Sequence, residues 1–259
     1  MQLVNLPKPE IADGRVLVRI TAAGVTPLNH TILSGQYPKA AGSRVMFTGP
    51  YGVAEDGSYG EWLAVRKQHL WRIPDGVDDV HAAGIPVAYF TAQIALNQAG
   101  FQSGKTVLAP AIGGSVGNAV TQLARASGAK HAVSSTTNHA KAEQAKALEV
   151  IDLSRETLKD GVRRITGGYG ADVVLDAIGG EILSEALSSL AMGGTLTTLG
   201  YSGGRKATID VTDLISKRAT MKSFVLLAQP PRLGRKPGRR SSRCFNPAQS
   251  SPLSLRPSR

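Results

Sequence analysis

Residues 106–128 (TVLAPAIGGSVGNAVTQLARASG) constrain the fold more than any other stretch of this 259-residue chain. An apolar strand candidate at 106–110 runs into a turn rich in glycine, and helical spacing starts at once over 116–127. Glycine lets a backbone approach a bound group closely. A helix start offers unpaired N–H groups at the positive end of its dipole. Ala111, Gly114 and Gly117 fall at the spacing A-x-x-G-x-x-G, a dinucleotide fingerprint with alanine at its first position. Such a unit demands a following parallel strand, because the helix must cross over and return to the same sheet.

The remaining pattern agrees. Residues 89–96 have helical spacing. After the glycine turn, strands are predicted at 131–134, 172–176, 195–200 and 221–227, and helices at 140–148 and 181–190. This alternation predicts a parallel sheet with helices on both faces. The first third reads differently, with strand candidates at 15–21, 44–48 and 61–66 separated by Gly and Pro. The expected class is therefore α/β: a Rossmann-type doubly wound sheet in residues 81–229, preceded by a β domain in 1–80.

The same glycines fit a rival motif. Gly113-Gly-Ser115-Val-Gly117 matches G-x-S-x-G, the nucleophile elbow of serine hydrolases. That mechanism needs an acid and then a histidine after the serine. Only His131 and His139 follow Ser115, and no Asp or Glu lies between Ser115 and His139. The required order cannot be met.

The choice of nucleotide follows from the end of the second strand, where an acid about 20 residues on would bind the ribose 2′-hydroxyl of NAD. The corresponding residues are Ser134 and Ser135, with His139 and Lys141 beyond them and no acid. A carboxylate would repel a 2′-phosphate and a cation would pair with it. The segment favours NADPH over NADH.

The formal charge of +11 suggests a polyanion only if it covers a folded face. It does not. Residues 230–259 carry eight basic groups and no acid, together with six Pro, six Ser and the only cysteine, Cys244. Residues 1–229 hold 22 basic and 19 acidic residues. The tail is expected to be disordered and solvated. Its one aromatic, Phe245, offers little for base stacking, so no specific nucleic acid is expected. The uncharged stretches 80–104 and 106–124 are interrupted by polar and turn residues, so no membrane span is expected. The first fifteen residues lack the order of a secretory signal, and a single cysteine excludes an intramolecular disulfide framework. The expected location is cytoplasmic. His30, His69, His81, His131 and His139 stand singly, so no metal is expected.

Residues 104–128 resemble the cofactor segment of the zinc-independent medium-chain dehydrogenase/reductases, in the quinone oxidoreductase (zeta-crystallin-like) branch. Ala23-Gly-Val25 through Ser34-Gly-Gln-Tyr-Pro38 is similar to the family's substrate-side loop. Gly57-Ser-Tyr-Gly-Glu-Trp62 with Ile73-Pro-Asp-Gly76 resembles the end of its GroES-like barrel. Residues 168–176, Gly179-Gly180 and 193–200 resemble the second half of its Rossmann domain. The loop 24–30 lacks the cysteine that zinc-dependent relatives carry there.

The resemblance implies hydride transfer from NADPH to a quinone or an activated alkene or carbonyl, without zinc. It implies that Ala111, Gly114, Ser115, Val116 and Gly117 face a pyrophosphate, and that Ser134, Ser135 and Lys141 face the 2′-phosphate. Thr91, Gly179 and Leu199 would lie toward the nicotinamide. Asn29 and Tyr37 would orient or protonate substrate oxygen. Family dimers form through the last Rossmann strands, here 221–227. The chain also departs from the pattern. It lacks a first barrel strand and the stretch normally following Pro38, and the tail replaces the C-terminal return to the barrel. It is thus expected to have an incomplete GroES-like barrel, as a shortened product with its C-terminus read in another frame. The alternative expectation is a non-catalytic NADPH-binding remnant.

Overall fold

A computed structural model describes residues 7–23, 32–34, 43–145 and 148–229. Asn29, His30, Tyr37 and the basic tail lie outside the described residues. The chain divides into two compact units, with boundaries after Val87 and again after Leu226.

The first unit is antiparallel. Strand β1 (Arg15–Arg19) pairs with β4 (Trp62–Arg66), and β3 (Arg44–Phe47) lies between β2 (Ile32–Ser34) and β5 (Leu70–Arg72). Alternation explains β1: Val16 and Val18 are buried while their neighbours are not. They pack with Val45, Phe47, Tyr51, Leu63 and Val65. Strands β2 and β5 are each three residues long, too short for a period-2 pattern to show in sequence. Helix α1 (Asp79–Ala83) follows, and Asp78 caps it by accepting from the His81 N–H.

Helix α2 (Ile85–Gln98) leads into the second unit. There β6 (Thr106–Ala109), α3 (Ser115–Ala126), β7 (His131–Thr136), α4 (His139–Gln144), β8 (Glu149–Asp152), α5 (Leu158–Thr166), β9 (Ala171–Asp176), α6 (Gly180–Ser188), β10 (Leu190–Thr198), α7 (Val211–Lys217) and β11 (Thr220–Ser223) follow in turn. The sheet order is β11-β10-β9-β6-β7-β8, every pair parallel. Read from β6, this is the 3-2-1-4-5-6 order of a doubly wound sheet. The expected α/β Rossmann-type class is what the structure shows.

All four residues of β6 are buried, as a central parallel strand covered on both faces requires. One face packs Val107, Ala109 and Val173 against Ala92, Leu96, Val120 and Leu123. The other packs Leu108, Val133 and Val174 against Leu158, Val162 and Leu187. Strand β8 buries one residue and α7 none, so neither stands out in sequence, whereas α5 packs Leu158, Val162 and Ile165 from one face. Gly161 of α5 lies so close to β8 that an added β-carbon would sit 2.5 Å from the Ile151 side chain. No described helix is long and apolar enough to cross a membrane.

Candidate functional site

The sheet reverses its winding between β6 and β9, and ligands of such sheets bind outside the carboxyl ends of the strands at that point. Two helices start there, α3 after β6 and α6 after β9. Among the described residues, four other helices begin with a side-chain cap: Asp78, Asn138, Thr157 and Asp210 each accept a bond from the first turn. Helices α3 and α6 start from Gly114 and Gly179, and neither has a side-chain cap. The first-turn N–H groups of a helix have no intrahelical partner. At α3 they open beside exposed Gly113, Gly114 and Ser115, with Val116 half-buried and Gly117 buried.

The turn is held tightly from below. The Gly114 N–H donates to the Ala111 carbonyl at 2.9 Å, and the Ile112 N–H to the Ser135 carbonyl at 2.8 Å. The Asn118 amide donates to the Ile112 carbonyl at 3.4 Å. Gln122 donates to Asn118, and Tyr89 of α2 donates to Gln122 at 2.9 Å. Burial pushes the Tyr89 phenol up, so it stays a donor. A β-carbon on Gly117 would lie 2.4 Å from the Ala111 oxygen and 2.5 Å from the Pro110 oxygen. Glycine is needed there for helix-to-strand packing. Ala111 itself has φ +66°, the left-handed region glycine prefers.

Lys141 reaches over this turn: a β-carbon on Gly113 would be 3.4 Å from its Nζ. A cation, exposed glycines and an uncapped helix start therefore meet at one place. Sequence alone put Lys141 near a ribose phosphate at the end of β7; in the structure its Nζ lies beside the glycine turn, which is itself hydrogen-bonded to Ser135 of β7.

Ser134 and Ser135 require a correction. The sequence places their hydroxyls at a 2′-phosphate. In the structure Ser134 is 0% exposed and donates to the Ala109 carbonyl at 2.6 Å. Ser135 is 1% exposed, and its hydroxyl accepts from the Ala111 N–H at 3.3 Å. Both hydroxyls are spent on the backbone of β6 and its turn. A buried hydroxyl with a partner satisfies the rule for buried polar groups, and burial keeps both hydroxyls off the surface that a ligand would meet.

Gly179 and Leu199 lie just beyond the ends of the paired strands β9 and β10. The Leu199 N–H donates to the Asp176 carbonyl at 2.8 Å. Gly179 has φ +71°, and a β-carbon there would lie 2.5 Å from the Gly204 oxygen. Its glycine is thus demanded by two loops packing backbone to backbone. Thr91 is buried on α2, and Leu199 packs on the same core as Ala92 and Ala95. Asn29 and Tyr37 lie outside the described residues.

Asp176 has no role in the expectations drawn from sequence. Its carboxylate is fully buried and accepts from Ile178 N–H at 2.9 Å and Gly179 N–H at 3.0 Å, which fixes the loop before α6. Burial pushes this carboxyl up, against the pull of those two N–H groups. The signal for it was a short acid between an apolar strand and Gly179-Gly180. Among the described residues no group of three His, Cys, Asp or Glu could hold a metal ion.

Residues 115–233 match the family model described as zinc-binding dehydrogenase. The rat quinone oxidoreductase-like protein 2 (Rattus norvegicus) is 34% identical over 170 residues, covering 64% of this chain. That match spans about half, 49%, of the rat protein's length. A 2-haloacrylate reductase from Burkholderia sp is 30% identical over 80% of this chain and 71% of its own length. Among solved structures, the quinone oxidoreductase from Thermus thermophilus, determined also in complex with NADPH, is similar with a TM-score of 0.73. It is 26% identical, over 87% of this chain and 76% of that one.

Proposed function

Because the chain belongs to the medium-chain dehydrogenase/reductases, in their quinone oxidoreductase-type branch, we propose that it is an NADPH-dependent reductase acting without zinc on a quinone or an activated alkene or carbonyl. One observation carries the nucleotide half of this reading. Lys141 overhangs exposed glycines at an uncapped helix start, at the switch point of the sheet. These residues fit a dinucleotide. Gly113 and Gly114 leave the space a pyrophosphate needs, and Gly117 keeps α3 aimed at it.

NADPH, when bound, supplies the hydride, and the protein supplies binding and orientation. The N–H groups of Ser115, Val116 and Gly117 would donate to pyrophosphate oxygens, with Lys141 adding a full positive charge. The Tyr89–Gln122–Asn118 chain and Ser135 hold the turn in place before the ligand arrives. Asp176 fixes the Ala177–Gly180 backbone where the nicotinamide end would rest, close to Leu199. Asn29 and Tyr37 are proposed to orient and protonate the acceptor oxygen. A homodimer through β11 is also proposed, since all four of its residues are exposed. Sedimentation at rising concentration tests it.

The test of the main reading is titration of the full chain with NADPH and NADH, followed by turnover with a naphthoquinone. NADPH should bind more tightly, and Lys141→Met should weaken it about tenfold, as expected for one lost charge-assisted contact. Binding without turnover would leave a nucleotide-binding protein and remove the reductase. Absence of binding would remove both.

A further inference from the structure

The carboxyl ends of β7 and β8 lie side by side, with Thr136 paired to Asp152. Beyond them the first turn of α4 brings His139, and the segment after β8 brings Ser154 and Arg155. Asp152 accepts from the Ser154 hydroxyl at 2.6 Å, the Ser154 N–H at 3.0 Å and His139 Nδ1 at 2.7 Å. Arg155 Nη2 donates to His139 Nε2 at 3.1 Å. A guanidinium has no acceptor, so Nε2 must accept. In that arrangement Nδ1–H is the donor to Asp152. The imidazole acts as a bridge between the carboxylate and the guanidinium. The direct Arg155–Asp152 contact is looser, at 3.7 Å.

This arrangement has two consequences. Asp152 is occupied by three donors, and the Ser154 hydroxyl and then His139 hold its carboxyl down at about 2. Arg155 is held at Nη2, with Nε 3.7 Å from Asp152, yet its side chain is 67% exposed. An oriented guanidinium open to solvent suits a phosphate dianion, which it can meet with charge-assisted bonds. A neutral ribose hydroxyl gains far less from it.

We infer that Arg155, oriented by His139 and Asp152, is the residue that selects a 2′-phosphorylated nucleotide over an unphosphorylated one. This rests on the reading of the glycine turn as the dinucleotide site. It replaces Ser134 and Ser135, whose hydroxyls are buried, as the source of discrimination. Lys141 then serves the turn and Arg155 the ribose. His139 is a positioning residue.

The experiment is titration of the full chain with NADPH and with NADH, read by nicotinamide fluorescence. Arg155→Met should raise the NADPH dissociation constant about tenfold, the loss of one charge-assisted contact, and leave NADH within about twofold. His139→Leu should shift the NADPH to NADH ratio in the same direction, and His139→Gln, which keeps one donor and one acceptor, should restore it. A purely structural role would move both nucleotides together. Equal loss of both, or of neither, in Arg155→Met overturns the inference. Failure of the unaltered chain to bind either nucleotide removes the site reading itself. Normal binding by that chain with an unchanged ratio in Arg155→Met removes only this inference.

Discussion

Gly117→Ala is the sharpest probe of how this fold builds its site. The new β-carbon would sit 2.4 Å from the Ala111 oxygen, 2.5 Å from the Pro110 oxygen and 3.0 Å from the Ala111 carbonyl carbon. Ordinary contact starts near 3.4 Å, so α3 must retreat from the end of β6 by roughly 1 Å. Backbone atoms are the obstacles, and they cannot rotate away. Overpacking of this kind costs about 3 kcal/mol, and the better helix propensity of alanine offsets about 1 kcal/mol. The net loss of about 2 kcal/mol should lower the melting temperature by about 4–8 °C in a chain of this size. The same retreat moves the first-turn N–H groups away from the turn. At a concentration of NADPH near 100 times the dissociation constant, the unaltered chain gains about 2.7 kcal/mol from ligand. A tenfold weaker variant gains about 1.4 kcal/mol at that concentration. Thermal melts with and without NADPH read both numbers. A Gly117→Ala chain that melts as high as the parent and shows the full NADPH shift would refute the packing argument.

Ala111→Gly should stabilise. Relief of the left-handed strain at φ +66° is worth about 1–2 kcal/mol, against about 0.4–1 kcal/mol of added unfolded-state entropy, so a urea midpoint should rise slightly. Asp176→Asn should change the pH dependence. The carboxyl of Asp176 is raised in the folded state, so its contribution is favourable below the ordinary value of 3.8 and is lost as pH rises through the folded value. The variant should lack that decline while keeping an acceptor for the Gly179 N–H. Melting temperature followed upward from pH 4 decides it. Asp152→Asn should act in the opposite window. Its carboxyl falls from 3.8 to about 2, so the parent loses stability as pH drops between those values and the variant should not. Acid titration by circular dichroism checks this.

Much of the second unit was legible in the sequence. The strand at 106–110, the glycine turn and the helix after it were readable because period, glycine spacing and helix start all agreed. Parallel pairing followed from alternation, since parallel strands need crossovers, while the strand order came from the structure. Strand β8 and helices α5 and α7 were not legible. Strand β8 buries only Ile151 and α7 buries no residue, so neither shows a period; α5 does carry one, in Leu158, Val162 and Ile165, but Gly161 and four charged residues stand among them. In the first unit β2 and β5 are too short to show one.

The candidate site divides in the same way. Residues adjacent in sequence, Ala111 to Gly117, could be placed in one turn, proposed here to meet a phosphate, because a single stretch of backbone holds them all. Counting about twenty residues onward led to Ser134 and Ser135, but a count cannot say which way a side chain points. The pleat of β7 turns both hydroxyls into the sheet, where they tie down the glycine turn. Asp152 and Arg155 come from the end of β8 and the segment after it, and His139 from the first turn of α4. The sequence by itself determined the doubly wound fold and the glycine cradle, because those depend on local spacing. Only the tertiary structure decided that Lys141 stands over it and that His139, Asp152 and Arg155 meet, because that depends on which strands lie side by side and how far each side chain reaches.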